Sequence, residues 1–192
     1  MAFSEKEREG ILSALKAEGR KCAIAVGVRK TTVEQLARAA EISKGAFYGF
    51  YATKELLFFD ILEELHTETY EAARLALTAS QGLSDASRAA EAVLAACKVL
   101  DASGLTGFIE RDVPYILRKI PQDMLEEHYH DDEAHIRALL RDAGLRPEGG
   151  VELAAAAVRG LLLTVSHRHE IGAMYPQVLK TLVNGVCREL FA

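Results

Sequence analysis

Four side chains in the stretch Thr31–Lys54, TTVEQLARAAEISKGAFYGFYATK, have the chemistry to hold a phosphate backbone: the Thr32 hydroxyl, the Lys44 and Lys54 ammonium groups, and the Tyr48 phenol. Hydroxyls and cations of this kind fix a protein on a duplex through its phosphate oxygens. Two other groupings invite a chemical reading. His128, Asp132 and His135 fall at i, i+4 and i+7, near one face of a helix, with ligand types that suit zinc or iron. A metal-dependent helical enzyme is the reading this cluster offers, and an exposed polar face gives the same pattern. Ser166 beside His167 lacks both the third partner and the strand-turn setting that an activated nucleophile needs.

The elements that must position the first group can be read from their caps. Thr32 with Gln35 forms a capping box, with Thr31 and Glu34 as a competing register. Val33, Leu36, Ala37 and Ala40 supply the buried side of a short helix. Glu41-Ile42-Ser43 is a three-residue turn, and Ser43 caps a second helix over Lys44–Tyr51. Ile42 and Phe47 anchor the turn in a core. Two helices joined by such a turn form the unit that places its second helix in the major groove of DNA. Thr53 caps a third helix, with Lys54 in its first turn, where a bound phosphate would offset the unfavourable meeting of a cation with the helix dipole.

The second helix is unusual for packing alone. Gly45 lies early in it, at a cost of about 1 kcal/mol relative to Ala. Small residues at Gly45 and Ala46 would let it approach a duplex closely, with Lys44 and Tyr48 on either side. Alternatively, Gly45 relieves a crowded contact with the preceding helix, Tyr48 is a half-buried aromatic and Lys54 is solvated. The candidate DNA-facing residues are Lys30, Thr31, Thr32, Ser43, Lys44, Gly45, Ala46, Tyr48, Tyr51 and Lys54.

The net charge of −5 argues at first against a nucleic-acid partner, but it is unevenly spread. Residues 1–54 hold ten Lys and Arg against six Glu, a net of +4, which leaves −9 on residues 55–192. A basic head on an acidic body fits DNA binding by the head alone. Cys22, Cys97 and Cys187 are odd in number and far apart, so buried reduced thiols in a cytoplasmic protein fit better than a disulfide framework or a zinc site. MAFSEKEREG lacks the order of a signal peptide, and the apolar run Ala154–Val165 is short and contains Arg159, so no membrane partner is expected.

Helical spacing runs through the rest of the chain, with no sustained period-2 alternation. Ser4 and Glu7 cap a first helix that Gly27 ends. A long helix runs from Lys54 to about Ala79, and another spans Ser84–Asp101. Gly107, Pro114 and Pro121 break the region 104–121 into short helices and kinks. Helices follow over Pro121–Ala143, about 151–171 and 175–191. The expectation is an all-α chain of about nine helices, with a helix-turn-helix head over 1–53 and a helical body over 54–192.

Residues 27–62, GVRKTTVEQLARAAEISKGAFYGFYATKELLFFDIL, resemble the DNA-binding head of the TetR family of bacterial transcriptional regulators. The resemblance lies in the paired threonines, LARAA, ISKGAFY and KELL, and covers roughly the first third of the chain. It implies DNA contacts, mostly to the backbone, at Thr32, Lys44, Tyr48 and Lys54. Glu41 departs from the family pattern, which has Gly in the turn. A Gly there serves a left-handed backbone, so Glu41 implies strain or a different turn, and it brings a negative charge near DNA.

The resemblance further implies a body that dimerises and binds a small molecule, hence a homodimeric repressor on a pseudo-palindromic operator, with an unidentified effector and no cofactor. A helical interaction module that has lost DNA binding is the alternative that Glu41 suggests. Two apolar stripes could meet their copies in a four-helix bundle: Val158, Leu162 and Val165 on one closing helix, and Leu182, Val186 and Leu190 on the last. The same stripes would also suit the chain's own core. Kinked helices open pockets, and the candidate lining residues are Tyr70, Cys97, Phe108, Arg111, Tyr115, Met124, Tyr129 and His167.

Overall fold

Side-chain caps set where the helices of the head begin. In the computed structural model, which describes residues 3–192 apart from the side chains of Asp132 and Glu133, Ser4 and Glu7 close a capping box ahead of α1 (Glu5–Ala25). Thr32 and Gln35 do the same for α2 (Val33–Ala39): the Thr32 Oγ1 accepts from the Gln35 amide at 3.2 Å, and the Gln35 Oε1 accepts from the Thr32 amide at 2.8 Å. The Thr31–Glu34 register is therefore not the one used. Ser43 accepts from the Ala46 amide at 3.0 Å and starts α3 (Lys44–Phe47). Thr53 accepts from the Leu56 amide at 3.2 Å where α4 (Lys54–Ala79) begins.

The remaining helices are α5 (Asp85–Ala102), α6 (Thr106–Arg111), α7 (Val113–Ile116), α8 (Gln122–Asp142), α9 (Val151–Ser166), α10 (Arg168–Ile171) and α11 (Tyr175–Leu190). The fold is all-α. The helical segments outnumber the expected nine because the kinked region resolves into α6 and α7, and because the run expected over 151–171 breaks at His167. Among the described residues, no single helix is long and apolar enough to cross a membrane.

The chain divides into two compact units, one of residues up to Leu65 with Gly107–Pro121, the other of His66–Thr106 with Gln122–Ala192. The division differs from the expected boundary at 53/54. The first part of α4 belongs with the head because its apolar face, Leu57, Phe58, Ile61 and Leu62, is buried in the head's core. Segment 107–121 joins it through Phe108, whose ring lies 6.2 Å from that of Phe58. Gly19 lets α1 approach α4: a Cβ there would fall 2.6 Å from Cδ1 of Ile61.

In the other unit, α11 packs on α5 and α9, and α8 packs on α9. Small residues on α5, Ala89, Ala90, Ala92 and Ala96, are buried and admit close packing. Cys22, Cys97 and Cys187 are buried and unpaired, as expected. Burial pushes the Cys97 and Cys187 thiols up to about 11, so both stay protonated at neutral pH.

Two residues of the expected dimer stripes need correction. Val165 and Leu190 are buried within the chain's own core, and Val158, Leu162 and Val186 are partly covered, while Leu182 is exposed. On α9 the exposed apolar residues are instead Leu153, Ala156 and Leu163, and on α11 Gly185 lies exposed near Leu182. The 3.6-residue period gives a helix an apolar stripe without saying which neighbour receives it.

The turn after α2 has a regular geometry. The Ile42 amide donates to the Ala37 carbonyl at 3.0 Å, and the Glu41 amide donates to that of Arg38 at 3.2 Å. These two bonds define a Schellman motif, which demands a left-handed residue at the position Glu41 occupies. Glu41 meets the demand with φ +56. The turn is therefore the glycine-type turn, made with a residue whose Cβ opposes it. Glu41→Gly should raise the unfolding free energy by about 1 kcal/mol, read from urea denaturation. A loss of stability would show that the Glu41 side chain compensates its backbone.

Candidate nucleic-acid interface

The anchor of the interface is Phe47, which is fully buried and carries Tyr48 edge-on at 5.6 Å. With Phe47 turned inward, α3 presents Lys44 and Gly45 outward, with Ser43 before it and Tyr48 after it. Around a Cβ placed on Gly45, the nearest heavy atom is the Ser43 Oγ at 3.8 Å. Gly45 thus relieves no crowding with α2, and its side of the helix is open to a close approach. Tyr48 is half exposed rather than enclosed.

The second helix is shorter than the expected Lys44–Tyr51. Beyond Phe47, the chain winds on through tight turns, with Gly49 donating to Ala46 at 2.9 Å and Phe50 donating to Phe47 at 2.9 Å. This tightening carries Tyr51 inward. Tyr51 is buried and its hydroxyl donates to Asp60 at 2.6 Å; burial, then the Asp60 carboxylate, pushes the phenol far above its ordinary range. Asp60 also takes Lys16 at 3.0 Å, while Glu64 takes Lys16 at 2.9 Å and Arg20 at 3.2 Å. Tyr51 is therefore part of the network joining α1 to α4 and is unavailable to DNA.

Two further expectations change. Thr31 is buried, and its hydroxyl donates to the Gly27 carbonyl at 2.8 Å. Its role is to shape the loop, leaving Thr32 beside it exposed at the head of α2. Lys54 neither faces open solvent nor points at a free first-turn site. Its ammonium donates to the carbonyls of Thr31 at 2.6 Å, Val28 at 2.8 Å and Arg29 at 3.3 Å. Those bonds use the three donors of the ammonium group.

Sequence reasoning missed Glu34. From the outer side of α2, its carboxylate takes the Lys44 ammonium at 2.5 Å. The Lys44 bond holds the Glu34 carboxyl below its ordinary range and holds Lys44 above its own. The ten-residue spacing across a helix-turn-helix was the signal that could have shown it. Lys30, Thr32, Ser43, Lys44, Gly45 and Tyr48 are exposed, and Ala46 is half-buried.

The eight expected pocket residues are divided between the two units. Phe108, Arg111 and Tyr115 belong to the head's unit. Phe108 is core, Arg111 covers Gly107, and the Tyr115 hydroxyl donates to Glu55 at 2.9 Å. Cys97 is buried, while Tyr129 and His167 are exposed. Met124 is partly covered. Tyr70 borders an open cleft of about 730 Å³, whose other walls include Thr67, Arg74, Arg88, His135 and Leu139. Polar and apolar side chains of α4 and α8 line the cleft in similar measure.

The two histidines of the expected metal cluster have separate partners. The His128 ring stacks on His66 at 5.1 Å, and the His135 ring stacks on Tyr70 at 4.9 Å. The two histidines lie about 10.5 Å apart along α8, at 1.5 Å per residue. The Asp132 side chain lies outside the described residues. Ser166 is buried and His167 exposed, so they form no pair.

Residues 16–61 match the family described as bacterial regulatory proteins, tetR family. A curated relative, the HTH-type transcriptional regulator YuxN of Bacillus subtilis, is 36% identical over 68 residues. That match covers 35% of this chain and 22% of the relative, so the chain matches about a fifth of that protein's length. The head of the chain, residues 16–61, is a TetR-family head.

Solved TetR-family structures extend the likeness of fold to the whole length. A TetR-family regulator from Mesorhizobium loti superposes with a TM-score of 0.68 at 17% identity, covering 100% of both chains. The TetR-family regulator PfmR from Thermus thermophilus gives 0.63 at 20% identity, over 91% of this chain and 97% of that one. NalD, described as the secondary repressor of a multidrug efflux pump in Pseudomonas aeruginosa, gives 0.57 at 22%, over 98% of each. The TetR-family match begins within α1 and ends within α4, and so takes in both helices of the helix-turn-helix.

In this TetR-family head, Lys54 serves as the cap of the loop before α2. Lys54→Met keeps an unbranched side chain, one atom shorter, and removes the ammonium, leaving the Val28 carbonyl only the Thr31 amide. It should lower the unfolding free energy by about 1–3 kcal/mol in urea denaturation. Unchanged stability would show that the carbonyls are equally well served by water.

Proposed function

We propose that this chain is a homodimeric, ligand-responsive repressor of transcription in the cytoplasm, with residues 1–53 as its DNA-reading part. The observation that carries the reading is the outward face of α2 and α3. Thr32, Ser43, Lys44 and Tyr48 are exposed around Gly45, whose surface is clear of other atoms but for one contact at 3.8 Å. Hydroxyls, a cation and a phenol around a gap the size of a missing Cβ suit the close approach of a phosphate backbone. Lys30 widens the positive edge. Thr31, Tyr51 and Lys54 support this face from behind.

Two copies meet through the exposed sides of α9 and α11, where Leu153, Ala156, Gly160 and Leu163 are exposed on the one and Leu182 and Gly185 on the other. The glycines let the helices of two subunits come close, and a two-fold axis makes the same patch serve both. A two-fold dimer places two recognition helices about 34–36 Å apart, or a multiple of it, on a pseudo-palindromic site. An effector that favours another separation releases the DNA by shifting the equilibrium. NalD, with the same fold, is described as a repressor, and another solved relative, RolR at a TM-score of 0.56, is described in complex with the ligand resorcinol. Those descriptions support repression and effector binding here.

Glu34 gives the head a way to hold Lys44 when no DNA is present. The phosphate must displace this carboxylate, so Glu34→Gln should tighten binding across all DNA sequences. Lys44→Ala should weaken it uniformly and reduce the slope of log affinity against log salt by about 1, in fluorescence anisotropy titrations. An affinity indifferent to salt in the unchanged protein would exclude phosphate-anchored binding. At the dimer face, Leu163→Glu should yield monomers in sedimentation equilibrium; an unaltered dimer would place the interface elsewhere.

A further inference from the structure

The loop from Gly27 to Thr31 ends at the cap of α2, so its shape sets where the exposed face begins. It is held from several sides. Lys54 takes its carbonyls at Val28, Arg29 and Thr31. The Val28 amide donates to the Asp112 carboxylate at 3.2 Å. Asp112 is buried, and it lies between α6 and α7, far beyond the TetR-family match at residues 16–61. Gly27, at φ +82, is the residue that allows this approach: a Cβ there would fall 3.1 Å from the same carboxylate.

A second contact comes from the next turn of the same segment. The Arg29 guanidinium lies over the Tyr115 ring at 4.9 Å, with the Lys119 ammonium 6.0 Å from that ring. The Tyr115 hydroxyl donates to Glu55 at 2.9 Å, and this bond raises the phenol's pKa. Glu55 follows Lys54 in α4. The loop's backbone and one of its side chains are therefore gripped by α4 and by the segment 107–121 together.

We propose that Asp112 and Tyr115 are positioning residues for DNA binding, which fix the loop Gly27–Thr31 and through it the register of α2 and the exposed face of α3. A buried carboxylate is costly to keep unless its hydrogen bonds are made, so Asp112 is a poor choice for mere filling. An amide donor to a charged acceptor is among the stronger bonds available to a loop. The proposal rests on the reading of the exposed face as the DNA surface.

The test uses the full chain with Asp112→Ala, Tyr115→Leu and Tyr115→Phe. Affinity is measured for a duplex that the unchanged protein selects, alongside amide hydrogen exchange, helicity and dimerisation. Asp112→Ala and Tyr115→Leu should each bind about tenfold more weakly, a loss of the size expected for one such contact, with helicity and dimerisation retained. Exchange should quicken at Val28 and Gln35 and stay unchanged in α9 and α11. Tyr115→Phe keeps the ring under Arg29 and should lose less.

Folded variants with parental affinity and parental exchange at Val28 would overturn the proposal. So would exchange that quickens evenly through the chain, since that marks a general loss of stability. Should Asp112→Ala not fold, Tyr115→Leu carries the same readings from a half-buried position. If the unchanged protein selects no duplex, the DNA reading itself fails, while exchange at Val28 still shows whether Asp112 and Tyr115 hold the loop.

Discussion

The head depends on one convergence: three backbone carbonyls of the loop before α2 meet the ammonium of the half-buried Lys54. Within the loop only the Val28 carbonyl finds an amide donor, that of Thr31 at 3.3 Å, and a part-buried carbonyl without a donor is costly. A lysine from the first turn of α4 supplies the donors. The same lysine ties the start of α2 to the start of α4, so the helix-turn-helix is fixed to the long helix by polar contact as well as by the packing of Phe47, Leu57 and Phe58. Placing a cation there is mildly unfavourable with the dipole of α4, and the carbonyl bonds offset that cost.

Around this point the head is stiff where it must be and open where it can bind. The network of Tyr51, Asp60, Lys16, Glu64 and Arg20 locks α1 to α4, and Gly19 removes the Cβ that would keep those helices apart. The outward face keeps small or polar groups at Thr32, Ser43, Lys44 and Gly45. Glu41 retains its left-handed turn against the preference of its own Cβ, held by the two bonds of the Schellman motif.

The sequence carried the helix-turn-helix legibly because caps are local. Ser4, Thr32 and Ser43 each bond an amide three residues on, and a pattern of that length can be read without knowing the fold. Residues whose partners are distant in the chain could not be read in this way. Thr31, Tyr51 and Lys54 looked like DNA contacts by their chemistry, yet tertiary partners take each of them. Tyr115 and Phe108 looked like pocket lining and instead pack into the head, because nothing local shows that segment 107–121 folds back there. For Val165 and Leu190, the period of the stripe was right, but the helix that covers it was a question of packing. Glu34 entered only as an alternative capping partner and Asp112 drew no role, since an acidic residue is ordinary until its partner is known.

The central claim is that two copies of this head read DNA as a symmetric pair. Selection of bound duplexes from a random pool by the full chain, followed by sequencing, tests it most directly. The predicted result is enrichment of two inverted half-sites whose centres lie one helical turn, or a whole number of turns, apart. A pool that stays random after repeated rounds, or enrichment of a lone half-site without its inverted copy, would contradict it.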